Sequence, residues 1–255
     1  MAVEEYIAGA IPAATLVIMR PGADEAELLL VKRASTMAFA AGAVVFPGGR
    51  IDPDDYVVAA MHGGAANDVE AAARIAALRE TLEETGLAVG WPALSAADIP
   101  AVRAALLAEV SLSSILAERG ERLDMSALFA FARWCPNFKE SRTFDTWFFA
   151  ARAPDHGHEL SVSIAEHSHI FWDSASAALA AADAGDISII FPTRRNLERL
   201  AGHATLDTFA AHASAFPVRR ITPWLEQHGD GTMLCIPDDL GYPVTSEVWA
   251  SVRRG

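Results

Sequence analysis

Two cysteines in 255 residues, Cys135 and Cys235, are too few for a disulfide framework and too isolated for a zinc knuckle. Buried thiols in a reducing compartment are the expectation. No uninterrupted apolar run approaches the ~18 residues of a spanning helix, and the mean hydropathy of +0.21 comes largely from alanine. Positive charge is scarce. Lys and Arg number 20 against 33 Asp and Glu, for a net charge of −13, and that balance lacks the basic footprint of nonspecific nucleic-acid binding. The amino terminus carries Glu4 and Glu5 rather than a basic stretch before an apolar core, so no signal peptide is read there and a cytoplasmic protein is expected. What remains is globular, with 52% hydrophobic and 21% charged residues. It reads as one mixed α/β domain over residues 1–255, with insertions.

Acidic charge is abundant, and in one stretch it is ordered. Residues 79–87 read Arg-Glu-Thr-Leu-Glu-Glu-Thr-Gly-Leu. On a helix, Glu80, Glu83 and Glu84 share one face within about one turn. Like charges so placed repel, and a hard divalent cation such as Mg²⁺ or Mn²⁺ relieves that repulsion while keeping positions open for substrate phosphates. A solvated acidic face is the competing reading from these residues alone. A phosphate substrate would also be repelled at long range by this chain, and a bound cation with a few local arginines resolves the conflict.

Along the chain, Ala13–Met19 and Glu27–Lys32 read as a hairpin turned at Pro21-Gly22-Ala23-Asp24. Gly42 to Phe46 leads into Pro47-Gly48-Gly49, where the glycines permit a close backbone approach. Residues 50–66 read as an irregular loop. A helix is expected from Asn67 or Asp68 to Thr85, with an Asn67–Glu70 capping box and Gly86 at its C′ position. Ala97–Arg119 reads as one helix or a pair, and Asp124–Ala132 as a short third, which makes an all-helical insertion around 97–132. Thr143–Ala151 is an aromatic-rich strand. Leu160–Ile164 and Glu166–Trp172 follow as β structure. Ser174–Ala184 reads as a helix, Asp186–Phe191 as a strand, Pro192 or Thr193 to His203 as a helix and Leu206–Ala213 as another. An extension from about 205 ends in two short strands near Ile221-Thr222-Pro223 and Met233–Ile236.

Gly49 together with 79–87 resembles the box of the Nudix hydrolases, which runs Gly, five residues, Glu, seven residues, then Arg-Glu-apolar-any-Glu-Glu-any-Gly-apolar. Arg79, Glu80, Glu83, Glu84, Gly86 and Leu87 match at their proper spacing. The departures are upstream. Gly49 lies 30 residues before Arg79 where the box has 14, so 16 are inserted, and the box's first Glu falls on Ala71. Glu70 is one place off, about 100° around a helix, and Thr81 stands where an apolar residue is usual. A second likeness, Leu29-Leu30-Val31-Lys32-Arg33-Ala34 with Gly42 and Phe46-Pro47-Gly48-Gly49, is similar to the signature preceding the box in coenzyme A diphosphatases, except that Ala38 replaces an Arg. The long box loop, the helical insertion and the Arg142-Thr-Phe-Asp-Thr-Trp-Phe-Phe strand resemble the longer coenzyme A members.

The resemblance implies an α/β/α sandwich with a mixed sheet. It also implies hydrolysis of a nucleoside diphosphate linked to another moiety by water attack on phosphorus, assisted by Mg²⁺ or Mn²⁺. Glu80 and Glu84 become the principal metal ligands and Glu83 a further ligand or the base that activates water. Arg79 orients the carboxylates, and Gly48 and Gly49 shape the loop. Glu166, ahead of Glu140, is the candidate for a completing acid from a later loop, and Arg33 for a substrate contact. Coenzyme A or an acyl derivative is the expected substrate, giving 3′,5′-ADP and a 4′-phosphopantetheine product. ADP-ribose or a dinucleotide is the alternative, and a non-catalytic Nudix ligand-binding module is the rival from another class. A homodimer is a family-level expectation.

Other features carry blander readings. His167 with His169 and His156 with His158 lack a third metal ligand at a typical spacing. Ser141 lacks a nucleophile elbow. Arg194 and Arg195 read as phosphate contacts or as ion-pair residues. The Phe and Trp residues of 144–149 read as core.

Overall fold

In a computed structural model, which describes residues 9–34, 40–65, 67–136, 143–154, 167–229 and 231–252, the alternating apolar run that opens the chain becomes a central strand. Strand β1 (Ile11–Arg20) is buried along most of its length, and β2 (Glu27–Arg33) returns antiparallel to it with Met19 opposite Leu28. Strands β3 (Val44–Val45) and β4 (Gly48–Arg50) attach to β2 and β1 respectively. On the other side of β1 lies β6 (Phe144–Arg152), parallel to it from Ile11↔Phe144 to Met19↔Arg152. Next comes β5 (Phe129–Trp134), antiparallel to β6, and then β8 (Arg220–Ile221), parallel to β5. Strand β7 (His167–Ser174) pairs with β2. The sheet is therefore mixed, with eight strands among the described residues.

Because strand side chains alternate faces, each face of this sheet carries its own core. One face sends Ala14, Leu16, Ile18, Trp147 and Phe149 against Ile75, Leu78 and Leu82 of helix α2 (Val69–Thr85). The same cluster takes in α1 (Pro53–Met61), α3 (Ile99–Leu107) and α4 (Leu112–Arg119). The opposite face packs Val17, Met19, Leu28, Leu30 and Phe148 against α5 (Ala175–Ala184), α6 (Phe191–Leu200) and α7 (Leu206–Ala213). Helices on both faces of a mixed sheet are the α/β/α sandwich expected. The extension adds β8 and an antiparallel sheet of β9 (Trp224–His228), β10 (Gly231–Cys235) and β11 (Ser246–Val248), with α8 (Trp249–Val252) after it. Trp134 Nε1 donates to Tyr242 Oη at 3.0 Å and Tyr242 donates to Asn196 Oδ1 at 2.9 Å, tying the extension to β5 and α6.

Four local expectations are corrected. Residues 50–66 are not an irregular loop, because they contain α1. Asp52 caps it, Pro53 fills a first-turn position and Asp55 returns a bond to the Asp52 N–H at 2.8 Å, a capping box. The Asn67–Glu70 box does not form: Asp68 is the N-cap of α2, its carboxylate accepting from Ala71 N at 3.0 Å, and Glu70 pairs with Arg74 one turn on. Asp124–Ala132 is not a helix. It makes one 3₁₀ turn at Met125–Ala127 and then enters β5, where aromatic and small residues alternate into the sheet. Asp186–Phe191 supplies only an isolated bridge, Ser188 to Ala43, since Phe191 already starts α6. The segment Leu160–Ile164 lies outside the described residues.

The inserted segments brace one another. Asp54 on α1 accepts from both Ser113 N at 2.9 Å and Ser113 Oγ at 2.5 Å in the first turn of α4, where free N–H groups favour an anion. His62, at the end of α1, donates from Nδ1 to Val58 O at 2.7 Å and accepts at Nε2 from Leu123 N at 2.8 Å, which ties α1 to the segment after α4. No helix among the described residues is long and apolar enough to cross a membrane.

Candidate active site

Helix α2 owes its length to alanine and its sharp stop to Gly86, which sits at φ 77° and returns its N–H to Leu82 O at 3.0 Å. Its last turns carry Arg79, Glu80, Glu83 and Glu84 beneath β4. The contact there is close. A Cβ on Gly49 would fall 2.3 Å from the Glu80 carboxyl carbon, and one on Gly48 would fall 2.3 Å from Ala14 O. Gly48 N donates to Glu84 Oε2 at 3.0 Å. Only glycine at both positions lets the loop lie on the carboxylates, so the structure brings Gly48 and Gly49 together with Glu80 and Glu84.

Arg79 joins these groups. Its Nε and one terminal nitrogen bind Asp55 Oδ1 and Oδ2 in a fork, each at 3.0 Å. That second nitrogen also donates to Arg50 O at 3.0 Å. The remaining nitrogen donates to Glu80 Oε1 at 2.9 Å and Glu83 Oε1 at 3.3 Å. Burial opposes the Arg79 charge, but Asp55, Glu80 and Glu83 outweigh it and raise its pKa. Burial also raises Asp55, against the pull of Arg79. Glu80 is pushed up to about 7, first by burial and then by Glu83, with Arg79 opposing, and burial moves Glu83 in the same direction.

Asp55 and Arg103 were missed from the sequence. Ala71 occupies the position of the box's first Glu, partly buried beside the α2 core. The insertion instead delivers Asp55 as the buried carboxylate for Arg79. The Asp52-Pro53-Asp54-Asp55 run, a helix-start pattern, was the available signal. Arg103, on α3, donates to Glu83 O at 2.8 Å and Glu84 O at 3.2 Å, covering the C-terminal carbonyls of α2 with a cation. No local pattern pointed to it. Thr81, the other departure from the box, is fully buried and its hydroxyl has no hydrogen-bond partner among the described residues.

Other candidates lie elsewhere. Arg33 ends β2, its N–H bonded to Ala43 O at 2.9 Å, with a register shift between Lys32 and Arg33. Arg194 pairs with Asp183, and Arg195 with Glu198 and Glu247, as ion-pair residues do. His169 is exposed on β7, Trp147, Phe148 and Phe149 are core residues, and Cys135 and Cys235 are free and buried. Glu166, Glu140, Ser141, His156 and His158 lie outside the described residues.

A Nudix hydrolase from Alicyclobacillus acidocaldarius has 30% sequence identity to this chain and superposes with a TM-score of 0.70 over 79% of this chain and 96% of its own. The chain belongs to the Nudix hydrolase family. The Nudix domain of Shewanella oneidensis NrtR, solved with ADP ribose, is 16% identical over 75% of this chain and 86% of its own, with a TM-score of 0.42. A MutT protein from Methanosarcina mazei is 14% identical over 81% and 97%, also with a TM-score of 0.42. No protein-family model and no curated protein matches the chain. As a Nudix-type diphosphatase, the chain hydrolyses nucleoside diphosphate derivatives, and 79–87 is its Nudix helix.

The donor set fits the divalent metal that Nudix hydrolases generally use. Glu80, Glu83 and Glu84 offer hard oxygen donors, and Gly49 lets the Glu80 carboxylate lie directly against β4. Among the described residues, Arg79 is the cation paired with Asp55, Glu80 and Glu83. A cation would also offset the burial that raises the Glu80 carboxyl above its ordinary range.

Proposed function

We propose that the protein is a metal-dependent diphosphatase whose substrate is coenzyme A or an acyl-coenzyme A, cleaved to 3′,5′-ADP and a 4′-phosphopantetheine product. The observation that carries the chemistry is the carboxylate set Glu80, Glu83 and Glu84, held by Arg79 against Gly48 and Gly49. Bound Mg²⁺ or Mn²⁺ supplies Lewis acidity to the phosphoryl oxygens and lowers the pKa of the attacking water. Glu80 and Glu84 hold the cation. Glu83 is the third ligand or takes the proton of the water, and Arg79 keeps the Glu80 and Glu83 carboxylates in place. Glu166 completes the acidic set, and Arg33 with the Gly48–Gly49 backbone contacts substrate. The coenzyme A reading is supported by the signature around Leu29–Ala34 and Phe46–Gly49 and by the inserted helix in the box loop.

The test is turnover of coenzyme A, acyl-coenzyme A, ADP-ribose, NADH and diadenosine polyphosphates with Mg²⁺ and with Mn²⁺. Coenzyme A or its acyl esters should be preferred. Turnover of ADP-ribose alone overturns the coenzyme A reading, and turnover of none overturns the enzyme reading. Glu84→Gln should abolish turnover with the fold intact, and retained activity would mean that the metal sits elsewhere.

A further inference from the structure

The extension carries a second group of metal-type donors. Strand β9 pairs antiparallel with β10, with His228 opposite Gly231, Glu226 opposite Met233 and Trp224 opposite Cys235. Residues two apart on a strand share a face, and so do directly paired residues. Trp224, Glu226, His228 and Cys235 therefore project from one side of the hairpin. The other side sends Leu234 into the core against α6 and, from β11, Glu247 to Arg195 at 3.0 Å. That core lies across the main sheet from α2 and its carboxylates.

On the shared side three donors converge. Glu226 Oε1 lies 3.2 Å from His228 Nε2, and the Cys235 thiol donates to the Glu226 carboxylate. One donor atom from each of the three residues lies within 4.8 Å of the other two. Trp224 Nε1 donates to Glu226 Oε2 at 3.3 Å, which leaves Oε1 to the imidazole. Metal-ligating carboxylates are commonly oriented by such an outer hydrogen bond. Glu226 and His228 are exposed, so the group is open to ions from solvent, while Cys235 is buried. The donor chemistry differs from that of Glu80, Glu83 and Glu84. Three carboxylates favour a hard cation, whereas one oxygen, one nitrogen and one sulfur favour a borderline-soft one. Zn²⁺ takes all three donor types and is held in many sites by three protein ligands and a water. A carboxylate and a thiolate also balance its two charges.

We propose that Glu226, His228 and Cys235 form a Zn²⁺ site on the β9–β10 hairpin, with a fourth position open to water. The thiol proton passes to solvent as the sulfur–metal bond forms. The ion ties β9, an exposed strand at the edge of its sheet, to β10 behind it. The site lies outside the catalytic carboxylates and does not depend on which nucleotide they cleave.

The test titrates the untagged, metal-free full chain with Zn²⁺ and, separately, with Co²⁺, both in excess Mg²⁺ to satisfy sites built from oxygen alone. The wild type should bind a Zn²⁺ ion that Mg²⁺ does not displace. Co²⁺ should bring a thiolate-to-cobalt charge-transfer band in the near ultraviolet, which carboxylates cannot give. Cys235→Ser should lose that band. His228→Gln and Glu226→Gln, at exposed positions that the fold tolerates, should each weaken Zn²⁺ binding roughly tenfold or more. A wild type without the band, a band that persists in Cys235→Ser, or unchanged Zn²⁺ affinity in either exposed variant overturns the site. If Cys235→Ser does not fold, the two exposed variants decide.

Discussion

Two buried arginines on opposite faces of the sheet are held in opposite ways. Arg79 meets carboxylates on nearly every side, with Asp55 in a fork and Glu80 and Glu83 on the remaining nitrogen. Arg199, on α6, is equally buried but is given one carbonyl, Phe131 O at 2.9 Å. Around it stand the rings of Tyr242, Phe216 and Phe131 at 5.1, 5.6 and 5.9 Å, and its Nε and one terminal nitrogen have no hydrogen-bond partner among the described residues. Burial lowers the pKa of Arg199, while the acids around Arg79 overcome the same burial. The first arrangement couples one cation to several titrating groups, so its energy responds to pH and metal. The second presents ring faces that do not titrate near neutrality, and it serves packing.

The largest effect should come from removing Arg79. Arg79→Met leaves the fully buried Asp55 without its counterion, a loss of about 3–5 kcal/mol by analogy with other broken buried pairs, together with a collapse of turnover. Urea unfolding and kcat would record the two separately. The double variant Arg79→Met with Asp55→Leu should recover most of the stability, because no buried charge is then stranded, but none of the activity. Recovered activity would show that Arg79 serves the fold alone and would erase the contrast with Arg199.

A middle-sized effect concerns pH. Metal-free, Glu80 keeps its proton up to about 7, above its ordinary 4.5. A carboxyl raised on folding adds stability that is fully present below the unfolded value and disappears as pH rises through the folded one. The metal-free protein should therefore lose stability between about pH 5 and 8, and Glu83, raised in the same direction, adds to the trend. Saturating Mg²⁺ competes with that proton and should raise Tm by roughly 5–10 °C at pH 8 and by much less at pH 5.5. Equal shifts at both pH values would mean that the cation binds away from Glu80.

Much of this contrast was legible before folding, and only on one side. Glu80, Glu83 and Glu84 could be placed because helical spacing is local, and Gly49 because a close approach needs a missing side chain. Asp55 was hidden by distance, since nothing in a strand-to-helix connection announces which acid will face a guanidinium 24 positions later. The segment around it reads as a loop because its polar composition outweighs the Asp52–Pro53 start signal. Arg103 was hidden for a related reason: it serves the carbonyls of another helix, and backbone groups have no sequence signature. The cage around Arg199 draws on β5, the 214–216 turn and Tyr242, and such convergence is a property of the topology alone.

Arg199→Met is the smallest change expected and the one that most sharpens the comparison. Two unpartnered guanidinium nitrogens cost about 1–3 kcal/mol each, and ring contacts return about 0.5–2 kcal/mol each, so the two nearly cancel. Methionine fills most of the same space and adapts its shape to the rings. Stability should therefore move by about 1 kcal/mol or less in either direction, and kcat/KM should stay within about twofold. A loss above about 3 kcal/mol would mean that the rings hold the cation more firmly than an acid-free site is expected to. A fall in kcat/KM at unchanged stability would mean instead that the α6 face communicates with the carboxylates across the sheet.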